Sequence, residues 1–180
     1  FQMQSNMASD WLNNKVKDSA EFVIGKFEDA VAMPKAGDYA PLEFIQVKLK
    51  PDGKKIYIPY EYVENLGGAG ITLKSVFKNI PTHKEVGEEV IHLKSDILDQ
   101  QIVVLAGARV VRVNDLRIGV FENKMSVLGI DVSTKGLLRR LGIEEWDIFD
   151  IFKVNLIDWR QTQPIQGSVR LNIVSANLSK

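Results

Sequence analysis

The chain has no cysteine, only two histidines and no surplus of charge of either sign, and each shortage removes a class of function. Without cysteine there is no disulfide framework, thiol nucleophile or thiolate metal site. His83 and His92 stand nine positions apart, which by itself makes no metal-ligand pair. Lys+Arg and Asp+Glu number 23 each, with net −2 over residues 1–90 and +2 over residues 91–180. Neither half is therefore a polybasic surface for nucleic acid or anionic membrane. The longest apolar runs, such as Gln101–Ala108, fall far short of the roughly 18 residues of a membrane span. The G-x-S-x-G, H-E-x-x-H and G-x-G-x-x-G signatures are missing too. What remains is a chain of 180 residues, 45% of them hydrophobic. A chain of that length can bury about 70% of its unfolded surface without covalent staples.

Short runs rich in Val, Ile, Phe and Tyr, bounded by Gly, Pro, Asp and Asn, predict a mainly β chain. The pattern is written twice. Leu12–Val16 with Lys26–Asp29 matches Leu98–Ile102 with Arg112–Asp115 at a constant offset of 86 residues, placing Asp29 against Asp115. Further on, Ile58-Pro-Tyr60 and Gly70–Leu73 match Ile157-Asp-Trp159 and Ser168–Leu171 at offsets of 99 and 98. The growth in offset calls for an insertion of 13 residues in the second copy. After a strand at Ser126–Val132, Ser133 or Thr134 can cap a short helix, Lys135–Leu141, that Gly142 terminates. Strands are expected near 15–20, 22–33, 42–50, 54–60 and 70–75, and again near 101–105, 108–118, 126–132, 153–159 and 168–174. Pro51-Asp52-Gly53 predicts a hairpin turn with Gly53 at positive φ.

The opening Phe1-Gln2 has the look of a tag remnant, so residues 1–9 are set aside as a disordered N-terminus, with Met7 the expected native start. The chain reads as cut from something longer. The expected division is a first domain over 10–78, a linker over 79–95 and a second domain over 96–180.

Gly25-Lys-Phe-Glu-Asp29 and Ile58-Pro-Tyr-Glu-Tyr-Val-Glu64 in the first copy resemble the PRC-barrel family of small β-barrels. That family includes the cytoplasmic part of the photosynthetic reaction-centre H subunit and the C-terminal domain of the ribosome maturation factor RimM. In the second copy, Asp96–Val103, Ala108–Leu116 and Val127–Val132 followed by Gly136-Leu-Leu-Arg-Arg-Leu-Gly142 resemble the segment that precedes the helical and CBS domains of bacterial proteins similar to MgtE-type magnesium transporters. The resemblance implies two PRC-barrel-like small β-barrels, the second with an inserted short helix. It also implies a non-catalytic regulatory or protein-interaction module in a bacterial, cytoplasmic setting, reaching the inner face of a membrane only through a partner or downstream domains. The implied partners are downstream domains, another protein or a second copy as a homodimer, with no nucleic acid. An RNA-processing accessory role like that of RimM is the alternative, and the even charge weighs against it. In the first copy Ser19-Ala-Glu21 replaces the D-x-x-G turn common in the PRC-barrel family.

Among individual residues, Leu137, Arg139, Arg140 and Trp146 are the candidates for an interaction surface. On a helix Leu137, Leu138 and Leu141 form an apolar stripe and the arginines turn from its centre, free to grip a carboxylate or phosphate. A helix packed on its own barrel with solvated arginines is the plainer alternative. Glu144, Glu145, Asp147 and Asp150 could chelate Mg²⁺, but pairing with those arginines is simpler, so no metal and no cofactor is expected. Gly67-Gly-Ala-Gly70 is expected to be a hairpin turn and not a phosphate loop, because Ile71-Thr-Leu alternates like a strand. Asp29 and Asp115 are expected to make local turn or backbone hydrogen bonds instead of an acid/base pair. Tyr57, Tyr60, Tyr62 and Trp159 are read as core and interface anchors, and His83 and His92 as linker residues.

Overall fold

Alternation of buried and exposed positions, as in Lys15-Val-Lys17 and Lys55-Ile-Tyr-Ile-Pro59, builds the strands of a mainly β chain. A computed structural model describes residues 6–35, 37–67, 69–104, 109–132, 156–165 and 168–171. The strands are β1 (Asn6–Met7), β2 (Lys15–Lys17), β3 (Val23–Ala32), β4 (Ala40–Leu49), β5 (Lys55–Pro59), β6 (Val63–Gly67), β7 (Gly70–Leu73) and β8 (Ile91–His92). There follow β9 (Gln101–Val104), β10 (Arg109–Arg112), β11 (Asp115–Phe121), β12 (Lys124–Asp131), β13 (Leu156–Asp158), β14 (Thr162–Ile165) and β15 (Ser168–Leu171). A main sheet runs β1-β11-β12-β4-β3-β2-β7-β6, with β13 beside β12, β5 beside β4 and β8 beside β3, and it curls like a half-barrel. β9–β10 and β14–β15 form separate hairpins. The inserted helix expected at 135–141 lies outside the described residues.

The expected turns form. Gly53 takes φ 73°, Lys54 N donates to Asp52 Oδ1 at 3.0 Å, and Gly67 pairs Gly70 at the tip of the β6–β7 hairpin. At Asp18-Ser-Ala-Glu21 the buried Asp18 carboxylate accepts amides from Ala20 and Phe22 at 3.0 Å and from Phe77 at 3.1 Å. Those bonds, Phe77's foremost, hold its carboxyl below the ordinary carboxylate range. Glu21 stands at φ 63°, a conformation that favours glycine.

The repeat is present in the backbone. Asn13 and Asp99, 86 residues apart, both adopt positive φ, at 64° and 62°. Asn13 N donates to Phe27 O at 3.1 Å, and Asp99 N to Val113 O at 3.0 Å. The Val16–Gly25 pairing of β2 with β3 recurs as Ile102–Val111 of β9 with β10. Both β3–β4 and β11–β12 shift register at the same place, between Val31/Ala32 and Arg117/Ile118. β4 and β12 are equivalents, and they pair with each other: Pro41 faces Ser126, its own counterpart, and Ala40 faces Val127. Antiparallel pairing of a strand with its equivalent is the signature of a two-fold axis, here a pseudo-two-fold inside one chain.

Around that axis the halves exchange their N-terminal segments. β1, from the start of the first half, pairs with β11 of the second; β8, from the start of the second, pairs with β3 of the first. Residues 6–9, set aside on sequence as a disordered tail, are thus part of the fold, with Ala8 buried. Residues 91–95, placed in the linker, carry β8 and the turn after it. That turn, Leu93–Ile97, is of π type with five residues, where Ala8–Trp11 is a four-residue 3-10 turn, and the extra residue is absorbed there. One apolar core runs through both halves, joining Trp11, Phe27, Ile45 and Ile58 to Leu116, Ile118, Ile130, Ile157 and Trp159.

Candidate functional site

Equivalent residues that do the same thing in both halves serve the fold, and polar residues found in only one half are the candidates for function. Asp29 belongs to the first kind. It follows Phe27 on β3 with its side chain 3% exposed. Its Oδ1 accepts Ala30 N at 2.8 Å and Lys94 N at 2.7 Å, while Oδ2 accepts Ser95 N at 3.2 Å. Asp115, its counterpart, accepts Leu116 N at 2.8 Å and Ser9 N at 3.0 Å, with the Ser9 hydroxyl on its other oxygen. Ser9 and Ser95 are themselves 86 residues apart. Each aspartate therefore makes the expected local bond and also caps the exchanged turn of the opposite half, a role that sequence did not show. Burial pushes the Asp29 carboxyl up against the pull of its three amides.

Next to Asp29 a cleft of about 540 Å³ opens between β3, β4, β5 and the exchanged turn. Of the polar residues lining it, Asp29 and Ser95 have counterparts in Asp115 and Ser9, whereas Tyr57, Gln46 and Glu28 correspond to Leu156, Asp131 and Asn114, and Lys94 lies in the turn that carries the extra residue. Gln46 Nε2 donates to the Tyr57 hydroxyl at 3.2 Å, and that hydroxyl lies 2.9 Å from His92 Nε2. The phenol gives its proton to Nε2 in the His92 tautomer that carries its own proton on Nδ1, and accepts from Nε2 in the other. Nδ1 faces Asp96 Oδ2 at 3.7 Å, and the same carboxylate oxygen accepts His92 N at 2.8 Å. Burial, and then the Asp29 charge, raise the Tyr57 hydroxyl above its ordinary range, so it is a proton donor at neutral pH. At the rim Glu28 lies 3.1 Å from Lys55 and 3.7 Å from Lys94, and the Lys55 bond foremost lowers its carboxyl. Such half-exposed pairs contribute about 0–1 kcal/mol to folding, so they shape the charge of the cleft more than its stability. The cleft can thus offer a ligand a phenol, an amide and two ammonium groups tethered to one carboxylate.

Both histidines, read on sequence as linker residues, join the first half through Tyr57. His83 forms an isolated bridge with it, Tyr57 N donating to His83 O at 2.8 Å and His83 N to Tyr57 O at 2.9 Å. The signal for this was their rarity: the chain has two histidines, and both stand beside one tyrosine. Trp159 is a core residue as expected, 1% exposed, and Tyr60 is partly buried against the core. Leu137, Arg139, Arg140 and Trp146 lie outside the described residues, as do Glu144, Glu145, Asp147 and Asp150. Among the described residues no group of three or more His, Asp or Glu side chains is placed to hold a metal ion, and no helix is long and apolar enough to cross a membrane. No protein-family model and no curated protein matches the chain, so the reading of the site rests on its geometry.

Proposed function

We propose that this chain is a non-catalytic interaction module formed by two PRC-barrel-like halves, in a bacterial protein related to MgtE-type magnesium transporters. Its work is contact with other domains of the same protein, with another protein or with a second copy, at the inner face of a membrane reached through those partners. The observation that carries this reading is the use made of Asp29 and Asp115. They are the equivalent carboxylates that most resemble an acid/base pair, and each is spent on capping the other half's exchanged turn. A chain that commits such groups to joining two halves gains a body with rims and notches on either side of one axis, suited to presenting surfaces.

In this reading the inserted helix at Lys135–Leu141 supplies one contact through Arg139 and Arg140, beside Leu137 and Trp146. Surface arginines contribute about 0–1 kcal/mol to folding, whereas an interface arginine contributes 2 kcal/mol or more, roughly 30-fold in affinity. Arg139→Ala combined with Arg140→Ala is expected to leave the melting temperature nearly unchanged and to weaken self-association in sedimentation equilibrium by about that factor. A strongly lowered melting temperature with unchanged association would show the arginines to be structural and remove this contact.

A further inference from the structure

The hydrogen bond between Tyr57 and His92 crosses the joint and has no counterpart on the other side of the axis. Tyr57 corresponds to Leu156 by the offset of 99 residues, and His92, which pairs with Val31, corresponds to Met7, which pairs with Arg117. The second half thus has two apolar side chains where the first has a phenol and an imidazole. Gln46 and Asp96 complete the chain of polar groups. Gln46 Nε2 donates to the Tyr57 hydroxyl oxygen at 3.2 Å, His92 Nε2 lies 2.9 Å from the same oxygen, and His92 Nδ1 faces Asp96 Oδ2 at 3.7 Å. The two rings meet edge-on, 5.8 Å between centroids. Backbone pairing holds each in place, Tyr57 against Gln46 on β4 and His92 against Val31 on β3.

The protonation state of His92 decides which way this chain of bonds runs. A neutral imidazole has one donor and one acceptor nitrogen, and an imidazolium has two donors. A lone pair on Nδ1 would confront the Asp96 carboxylate oxygen, so the neutral ring keeps its proton there and presents Nε2 as an acceptor. Tyr57 then donates to Nε2, accepts from Gln46 and has one lone pair left over. In the imidazolium Nε2–H donates instead. Both phenolic lone pairs are then engaged, by Gln46 and by His92, and the hydroxyl proton needs another acceptor. Tyr57 lines the cleft of about 540 Å³, so the cleft is where that proton is offered. The ionisable groups that surround His92 there are Asp29 and Glu28 from β3, Tyr57 and Lys55 from β5, and Asp96 and Lys94 from the exchanged turn. Glu28 is engaged with both lysines, and the charge of an imidazolium acts on the buried Asp29 as well as on Asp96.

We propose that His92 is a pH-sensitive switch that reverses its hydrogen bond with Tyr57, so that the phenol offers the cleft a lone pair when the imidazole is neutral and a proton when it is charged. Because His92 sits on the exchanged strand β8 and Tyr57 on β5, the switch links the joint between the halves to the chemistry of the cleft. A group that brings an acceptor, such as a carboxylate or carbonyl oxygen, is met at acid pH, and a donor such as an amide N–H at alkaline pH. The switch stands on the geometry of this pair and goes beyond the interaction-module reading without depending on it.

The test is nitrogen and carbon magnetic resonance of the whole isotope-labelled chain from about pH 5 to about pH 8, the range in which histidine changes charge. At the alkaline end His92 Nδ1 is expected to carry the proton, with Nε2 at the shift of an acceptor nitrogen. On acidification both nitrogens are expected to reach the shifts of protonated nitrogens, and the Tyr57 Cζ resonance to move with the same midpoint. Asp96→Asn, whose amide oxygen can still accept from the His92 amide, removes the charge that places the proton on Nδ1. Both neutral tautomers are then populated, and the Tyr57 step is expected to fall by about half or more. A proton on Nε2 at the alkaline end, a Tyr57 Cζ that ignores the His92 titration, or a step of undiminished size in Asp96→Asn would each overturn the proposal. None of these results bears on the arginine experiment, so the two readings fail separately.

Discussion

The first half of the molecule packs Trp11 edge-on to Phe27 at 6.2 Å, and the second puts Ile97 and Val113 at the same two places. The aromatic pair and the aliphatic pair sit on matching backbones, with the same positive-φ residue and the same register shift. Side-chain volume in the core has thus drifted between the halves, while the hydrogen bonds that join them have not. Asp29 with Ser95 and Asp115 with Ser9 make the same bond in both halves. Where the halves differ in polar residues, at the Tyr57–His92 pair and at Tyr39 with Asp158, the bonds still cross from one half to the other but have no counterpart on the opposite side of the axis. Those differences mark the places where this chain has a use for asymmetry.

The two caps are not equally buried, and that is the sharpest way to break the comparison. Asp29→Ala strands the amides of Lys94, Ser95 and Ala30 in a site where the carboxylate is 3% exposed, and it is expected to cost about 3 kcal/mol. Asp115→Ala uncaps Ser9 at an exposed site and is expected to cost about 1 kcal/mol. Chemical denaturation of both variants checks the ranking, and equal losses would mean that burial does not distinguish the halves. The pH response adds a sign. Burial raises the folded pKa of Asp29, so the stability linked to it is complete below its unfolded value and is lost as pH rises through the folded one. Amide bonds lower that of Asp18, so its contribution is complete above the unfolded value and is lost as pH falls through the folded one. Asp29→Asn is therefore expected to cost more near about pH 4 than near neutrality, and Asp18→Asn the reverse.

A smaller effect is expected at the turn between Asp18 and Glu21. Glu21 sits at φ 63°, a conformation that a side chain disfavours, and its carboxylate makes no ion pair among the described residues. Glu21→Gly is expected to stabilise the chain by about 0.5–1 kcal/mol in a calorimetric melt, after allowing for the extra freedom glycine has when unfolded. A loss of stability would show that Glu21 makes up for its backbone through solvent-side contacts.

Strands, turns and the repeat were legible in the sequence because each depends on local pattern. Alternation marks β2 and β5, Gly53 and Gly67–Gly70 mark hairpins, and the offset of 86 aligns Asp29 with Asp115. The exchange of β1 and β8 was not legible. Two-residue strands carry no periodicity, and nothing in Asn6-Met7 or Ile91-His92 names a partner strand in the other half. The same holds for the cleft. Tyr57 and His92 are 35 residues apart, and the polar, proline-containing stretch around His83 has the composition of a connector, although it closes on β5 through backbone pairing. The Glu21 turn lies between these cases, since the missing glycine was visible on sequence and its cost is visible only in the dihedral angle.

The central claim is that the two halves are locked into one body by exchanged segments, and native-state hydrogen exchange tests it most directly. If the lock holds, amides of β3–β4 and of β11–β12 open together with one free energy, and Asp29→Ala lowers protection in both hairpins by the same factor. If Asp29→Ala loosens β3–β4 while β11–β12 keeps its protection, the halves open separately and the interlock is not what holds the molecule together.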